Sequence, residues 1–420
     1  MAATRSIFIA KNSGSSIVPS TTAADYIETL ITNESIRAQS QSTQSQLISD
    51  SRQPRDVVRT GFEVGGPINS EFAYGMHDHI LEAALFSADW AQCNGSSKKV
   101  ASATVEVNHS TKTIVATAAS PFTGLAVGDW VRLEKSGYAN TGICFRISTW
   151  TDADNIAYDS WTKTPTSDGS GVTGVTVRTG ERIVAGNTDR VFTVVKKIGQ
   201  AGATLYECIL GAKFNGFSVS AAPGSILGFA ADVFAQRVVP EFDGSFSLDS
   251  AGNVVASGGT AIALATYLTS PNFTAAPGNK VFSTAQATGG AIMLDGVPSA
   301  VMSNFNMQLQ NNITGEGVLF YQGNAFVEPG NIAITGTAEA IFNAADLYTK
   351  FINDEEAKVA VYLVDNSTQG YIIDLPSVRV NDGGTSIPGQ TGLVKLPLSF
   401  GATVDSVTSR ALQIIRFDAS

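Results

Sequence analysis

The sequence is short of charge, cysteine and histidine, and it has no long apolar run. Only 15% of its 420 residues are charged, against roughly 25% in an average soluble domain. Surface with so little charge is often given over to partners, because interface cores are depleted of charge. Bases number 27 and acids 37, for a net charge of −10, which argues against a tight grip on nucleic acid. Cys93, Cys144 and Cys208 are odd in number and far apart. They read as thiols in a reducing compartment, and none has the paired spacing of structural zinc. The best apolar stretch, Ala261 to Leu268, is far below the ~20 residues of a spanning helix. The first residues carry an arginine but no apolar h-region, so neither a signal peptide nor membrane insertion is expected. With 43% hydrophobic residues, a disordered chain is excluded as well.

Signatures of chemistry are equally scarce. There is no GxSxG elbow, P-loop or HExxH. His77-Asp78-His79 could chelate, but His109 is the one other histidine, and positions i and i+2 diverge on a helix. The expectation is a helix start with exposed imidazoles. Glu71 and Glu339 sit near strand ends with nothing to pair them. No catalytic, metal or cofactor site is therefore expected, and the protein reads as a non-enzyme.

What is present is mostly strand. Phe305, Met307 and Leu309 alternate with Asn304, Asn306, Gln308 and Gln310, the period of a half-buried strand. Its second face is polar and uncharged, suited to a wall that touches without gripping. Val394 to Phe400 alternates too, and Pro397 suggests an edge position or a bulge. Lys358–Val364 and Tyr371–Leu375 are further candidates. Two short helices are expected. One covers Asp78 to Phe86, with Asp78 as its cap, and the other runs from about Ala344 to Asn353 behind Asn343.

The order of elements repeats. Leu81 and Leu85 match Leu347 and Phe351, while Tyr206, Leu210 and Pro223-Gly224 match Tyr371, Leu375 and Pro388-Gly389. After a two-residue slip, Leu227, Phe229, Ala231 and Val233 fall on Val394, Leu396, Leu398 and Phe400. The first copy therefore carries an insertion between its helix and its next strand. Five short strands fill it: Thr104–Val107, Thr113–Ala116, Trp130–Leu133, Gly142–Ile147 and Asn155–Tyr158. They read as a small barrel or sandwich, with Thr164 to Gly174 as the return linker. Arg37 to Asp56, rich in Gln and Ser, reads as a long mobile hairpin loop. Asp243 to Gly278 reads as a surface connection. The domain reading is residues 24–95 with 186–238, an inserted β domain at 96–182, a linker at 239–294 and a second copy at 295–416.

The run Gly61-Phe62-Glu63-Val64-Gly65-Gly66-Pro67-Ile68-Asn69-Ser70-Glu71-Phe72-Ala73-Tyr74-Gly75, then Asp78 to Leu85 and Trp90, resembles the tail tube proteins of long-tailed, siphovirus-like bacteriophages. So do Ser35-Ile36-Arg37, Phe214 to Ser220 and Pro223 to Gly228. The resemblance implies a mainly β fold, with two tandem tube domains of sandwich or barrel type. Each would carry a short flanking helix, and the inserted β domain would be extra. It implies a structural virion protein, made in the host cytoplasm, that self-associates into stacked rings. Three duplicated chains would make a pseudo-sixfold ring. The hollow tail tube would pass the genome without binding it specifically. A tape-measure protein in the lumen, a tail tip and a tail terminator are the further partners implied. Sheet edges need covering, and ring closure covers them; an acidic lumen repels phosphates. The expected lumenal residues are Asn304, Asn306, Gln308 and Gln310. Arg37, Arg52 and Arg55 are expected to meet acids of the next ring. The rival reading is a phage fibre, spike or carbohydrate-binding adhesin.

Overall fold

Eight strands carry the architecture. In chain order they are β1 (Arg37–Gln44), β2 (Val57–Glu71), β3 (Ala203–Ala221), β4 (Gly228–Ala235), β5 (Met302–Gln310), β6 (Ala333–Ile341), β7 (Gly370–Gly383) and β8 (Lys395–Ala402). All pairings are antiparallel, in the spatial order β1-β2-β4-β3-β5-β6-β8-β7. The first four strands and the last four thus have the same internal order, and β3 is hydrogen-bonded to β5 where the two sets meet. The computed structural model describes residues 5–45, 56–93, 99–117, 119–200, 203–241, 244–285, 290–299, 302–319, 323–341, 353–365, 369–383 and 395–418.

Ladder register shows how close the two halves are. Phe192–Gln200 pairs with β3 through an irregularity between Phe192 and Val194, and Ala357–Val364 pairs with β7 through the same irregularity between Ala357 and Val359. A second one lies between Phe214 and Gly216 on β3 and recurs between Val380 and Asp382 on β7. These bulges make Phe214 the counterpart of Val380, and Val233 of Phe400. The match of β4 onto β8 read from sequence agrees with this. The match of Tyr206 to Tyr371 and Leu210 to Leu375 does not, being one residue out. Tyr206 and Leu210 pack with Phe8 and Tyr26 on one face of their sheet, whereas Tyr371 and Leu375 pack with Phe72 and Tyr74 on the other. With a period of two, a one-residue slip reverses every side chain, and matched identities cannot sense that.

Behind the eight-strand sheet lies a second layer. Its strands include Arg5–Lys11, Phe192–Gln200 and the first part of β3 in one half, and Gly290–Leu294, Ala357–Val364 and the first part of β7 in the other. The main core fills the space between the layers. Phe217, Val219, Phe229, Phe305, Met307, Leu309 and Phe400 come from the front sheet, and Ile9, Val194, Val359, Val361 and Leu363 from the second layer. Helix α1 (Asp78–Ala84) buries Ile80, Leu81 and Ala84 in that core. It ends before Phe86, which takes a left-handed φ of 47°. Asp78 does not cap it: His77 is the N-cap residue, without a side-chain cap bond. The Asp78 carboxylate instead accepts from the Tyr371 hydroxyl and the Arg416 guanidinium. Residues 342–352, which hold nearly all of the second expected helix, lie outside the described residues.

Six strands of the insertion close into a barrel. Around it run Cys144–Trp150, Asn155–Trp161, Thr113–Ala116, Lys99–Asn108, Val172–Thr179 and Trp130–Glu134. The sixth strand, Val172–Thr179, starts inside the stretch expected to be return linker. The barrel packs on the back of the second layer, where its core meets Ala360, Tyr362, Val364, Ile372, Ile415 and Phe417. The expected linker is also more than a connection. Its hairpin of Ser245–Leu248 and Thr260–Ala263 packs Phe246, Leu248 and Ile262, with Leu264 of the helical turn that follows, against Phe8, Val195 and Cys208 on the back of the first half.

Two loop and edge expectations are corrected. Arg37 to Gln44 is a strand, because pairing with Val57 to Gly65 satisfies its backbone without a core of its own. The strand holding Pro397 is interior, between β6 and β7. Pro397 sits beyond the last described pair with β7, Leu398 with Gly383, so its missing N–H breaks no described rung there.

Candidate functional site

The front of the eight-strand sheet is the surface that the fold leaves open. Residues facing it form rows across the strands. One row is Asn69, Ala230, Ser218, Gln308, Thr335 and Gly401, ending at Arg379. The next is Glu71, Gly228, Ser220, Asn306, Thr337 and Ser399. Both rows cross from one half to the other with no break in register. Along β5, Asn304, Asn306, Gln308 and Gln310 are exposed, while Phe305, Met307 and Leu309 are 3%, 0% and 0% exposed. The sequence-derived face is therefore real, and it occupies the middle of the sheet.

The neighbours that complete the rows were missed. Ser218 and Ser220 alternate with Phe217 and Val219, and Thr335 and Thr337 lie on the outward side of β6. The same period-two signal marked them. Gly216 has a steric reason to be glycine: a Cβ there would come within 1.9 Å of the Leu309 carbonyl oxygen.

Two cations on this face, Lys395 and Arg379, are neutralised locally. Lys395 Nζ lies 2.9 Å from Glu339 Oε2, which also accepts from Ser303 and Asn304. The Lys395 hydrogen bond, followed by that of Ser303, holds the Glu339 carboxyl below its ordinary value. Arg379 is paired with Asp354 at 2.9 Å. Asp232 is exposed in the row of Gly216 and Gln310. The face is thus uncharged to acidic, with donors and acceptors but no free cluster of bases among the described residues.

From one side of the sheet β1 and β2 extend as a two-stranded arm. All eight residues of β1 are exposed, as are Val57 and Val58 at the start of β2. Arg37 opens this arm. Arg52 and Arg55 lie outside the described residues, so the expected trio is represented here by Arg37.

The histidines do not form a site. His77 is buried, contrary to the expected exposure, with Nε2 3.0 Å from Ser70 Oγ and its ring against Phe229. Burial pushes its pKa down to about 3. His109 is in the barrel beside Tyr158 and Trp161. Among the described residues no group of three or more His, Cys, Asp or Glu could hold a metal ion, and no helix is long and apolar enough to cross a membrane.

The model of a family described as "Phage tail tube protein" matches residues 3–402, nearly the whole chain. No curated protein matches the sequence.

Proposed function

The chain belongs to the phage tail tube protein family and is a structural component of the phage tail; from that premise we propose that it forms stacked rings whose bore is lined by the eight-strand front. The observation that carries this reading is the front itself. It is a continuous sheet that spans both halves, polar and uncharged in its middle, with Lys395 and Arg379 matched by carboxylates. A surface of that kind lets a polyanion pass without holding it, because phosphate binding needs unpaired bases. The strand order also supports a ring: the sheet ends in strands with unpaired edges among the described residues, and cyclic closure covers such edges.

In this proposal each chain supplies two wall segments, so a homotrimer makes a pseudo-sixfold ring. The division into 24–95 with 186–238, 96–182, 239–294 and 295–416 goes with it. The barrel lies outside the ring, since it packs on the side of the second layer away from the front. The arm of β1 and β2 meets the next ring, with Arg37, Arg52 and Arg55 facing acids there. DNA passes transiently, the tape-measure protein occupies the bore before it, and tip and terminator proteins close the ends. The chain is made in the host cytoplasm, carries out no catalysis and belongs to a siphovirus-like tail.

Negative-stain microscopy of the purified protein tests the core of this reading, with hollow rings or tubes expected. Native mass spectrometry of isolated rings then separates three chains from six. A protein that stays monomeric at all concentrations rejects the tube.

A further inference from the structure

The joint inside the chain is a template for a joint that the chain lacks. Where β3 meets β5, Phe217 stands opposite Leu309 and Ser218 opposite Gln308. At the end of this ladder Asn311 N donates to the Asn215 carbonyl at 2.7 Å. The Asn215 side chain then closes the joint: its Oδ1 accepts from Ile313 N at 2.8 Å, and its Nδ2 donates to Asp232 at 3.2 Å.

The register gives every member of this joint a counterpart at the outer edges of the sheet. Phe214 and Gly216 correspond to Val380 and Asp382, so Asn215 corresponds to Asn381 on β7, the same residue type. On the other side, Ile68 stands opposite Ala231 as Ala338 stands opposite Leu398, and Gln39 is opposite Glu63 as Gln310 is opposite Ala333. Ala38 on β1 is therefore the counterpart of Leu309, and Ser40 of Asn311. The partners are missing, however. Beyond Val378, β7 is paired only with β8, and β1 only with β2, among the described residues. Asn381 is exposed and its side chain has no hydrogen-bond partner there.

We infer that β7 of one copy pairs antiparallel with β1 of a second copy, in the register of the β3–β5 joint, with Asn381 taking the place of Asn215. Gly383 then faces Ala38, and Asn381 receives backbone N–H groups at Ser40 and two residues beyond. The joint between chains is looser than its template. Gly383 and Ala38 replace Phe217 and Leu309. Asp382 stands where Gly216 allows the closest approach, so the strands are set further apart at that point. This inference rests on the ring reading and specifies its partner surface.

Cysteine cross-linking tests it, because Cys93, Cys144 and Cys208 are buried and leave the background low. Ala38→Cys and Gly383→Cys are made in separate preparations, mixed and oxidised mildly. Facing residues of an antiparallel pair lie about 4.5–5.5 Å apart at Cα, within disulfide reach. The mixture is expected to give covalent dimers that disappear on reduction, and the double variant covalent ladders. Ala38→Cys mixed with Arg379→Cys, four residues out of register, is expected to give at least tenfold less. Asn381→Ala is expected to leave the melting temperature of the unassembled chain unchanged and to raise the concentration for half-assembly about fivefold, the loss of one hydrogen bond per joint. Rings or tubes that form without the cross-link, or that cross-link equally through Arg379→Cys, overturn this joint and leave the tube reading standing. Absence of any assembly in the unaltered protein overturns both.

Discussion

The two halves of this chain present the same front and carry different backs. In front, strand order, row register and the Phe214–Gly216 bulge recur, and the irregularity at Phe192 and Ala357 recurs in the second layer. Behind, the first half is covered by the Ser245–Ala263 hairpin, and the second by the barrel inserted into the first half. Repetition has been kept where strands must continue one another across a shared sheet. It has been lost where each half needs only something apolar to cover it. A front that must match a neighbour tolerates no slip, because one residue reverses every side chain, whereas a back can be covered by any element that fits.

The contrast can be broken hardest at the barrel. Asp374 of the second half is 2% exposed and accepts from Trp130 Nε1 at 3.0 Å, Arg146 Nε at 3.1 Å and Gln413 Nε2 at 2.7 Å. Asp374→Ala leaves Arg146 buried without this carboxylate. Thermal or urea unfolding should register a loss of about 3–5 kcal/mol, with the barrel melting apart from the sheets. The hairpin on the first half comes next. Leu248 is fully buried against the second layer, and Leu248→Ala should cost about 2–5 kcal/mol in the same measurement.

A third difference responds to pH. All three histidines precede residue 110, so the second half has none. An unfolded histidine titrates near 6.5, while His77 is held at about 3 by burial. As pH falls, the unfolded chain therefore takes up the proton first. The His77 contribution is complete above about pH 6.5 and is lost as pH falls toward 3, at up to about 1.4 kcal/mol per unit. Unfolding curves across that window should slope accordingly, and less so in His77→Gln.

The smallest effect on folding, and the sharpest on function, is expected on the front. Asn306→Lys with Gln308→Lys alters only exposed positions and should change stability by less than about 0.5 kcal/mol. Assembly should persist, while the assembled protein retains DNA in a salt-sensitive way that the unaltered protein does not. Co-sedimentation at two salt concentrations reads this directly.

Much of this was legible in the sequence. Strict alternation fixed the inward and outward sides of β5, because a half-buried strand leaves that pattern in any context. The insertion was visible as a run of turns and short apolar segments. Register is not legible, and Tyr206 falls on the wrong residue, Tyr371, because both are large and buried and composition does not distinguish the two faces of a sheet covered on both sides. Asp78 misled for a related reason. An acid at a helix start looks like a cap, and only the fold shows that Tyr371 and Arg416, far along the chain, claim it first. The pairing of β3 with β5 joins residues with no local signal at all.

That last contact has a consequence for assembly kinetics. The chain linking β3 to β5 holds the two strands at a high effective concentration that dilution cannot lower. Any closed ring of such chains therefore completes half of its joints during folding, before two molecules meet. Only the remaining joints are bimolecular. Ring closure then depends on protein concentration with a lower order than the same wall built from single segments, and diluting a preformed ring releases paired segments, never single ones.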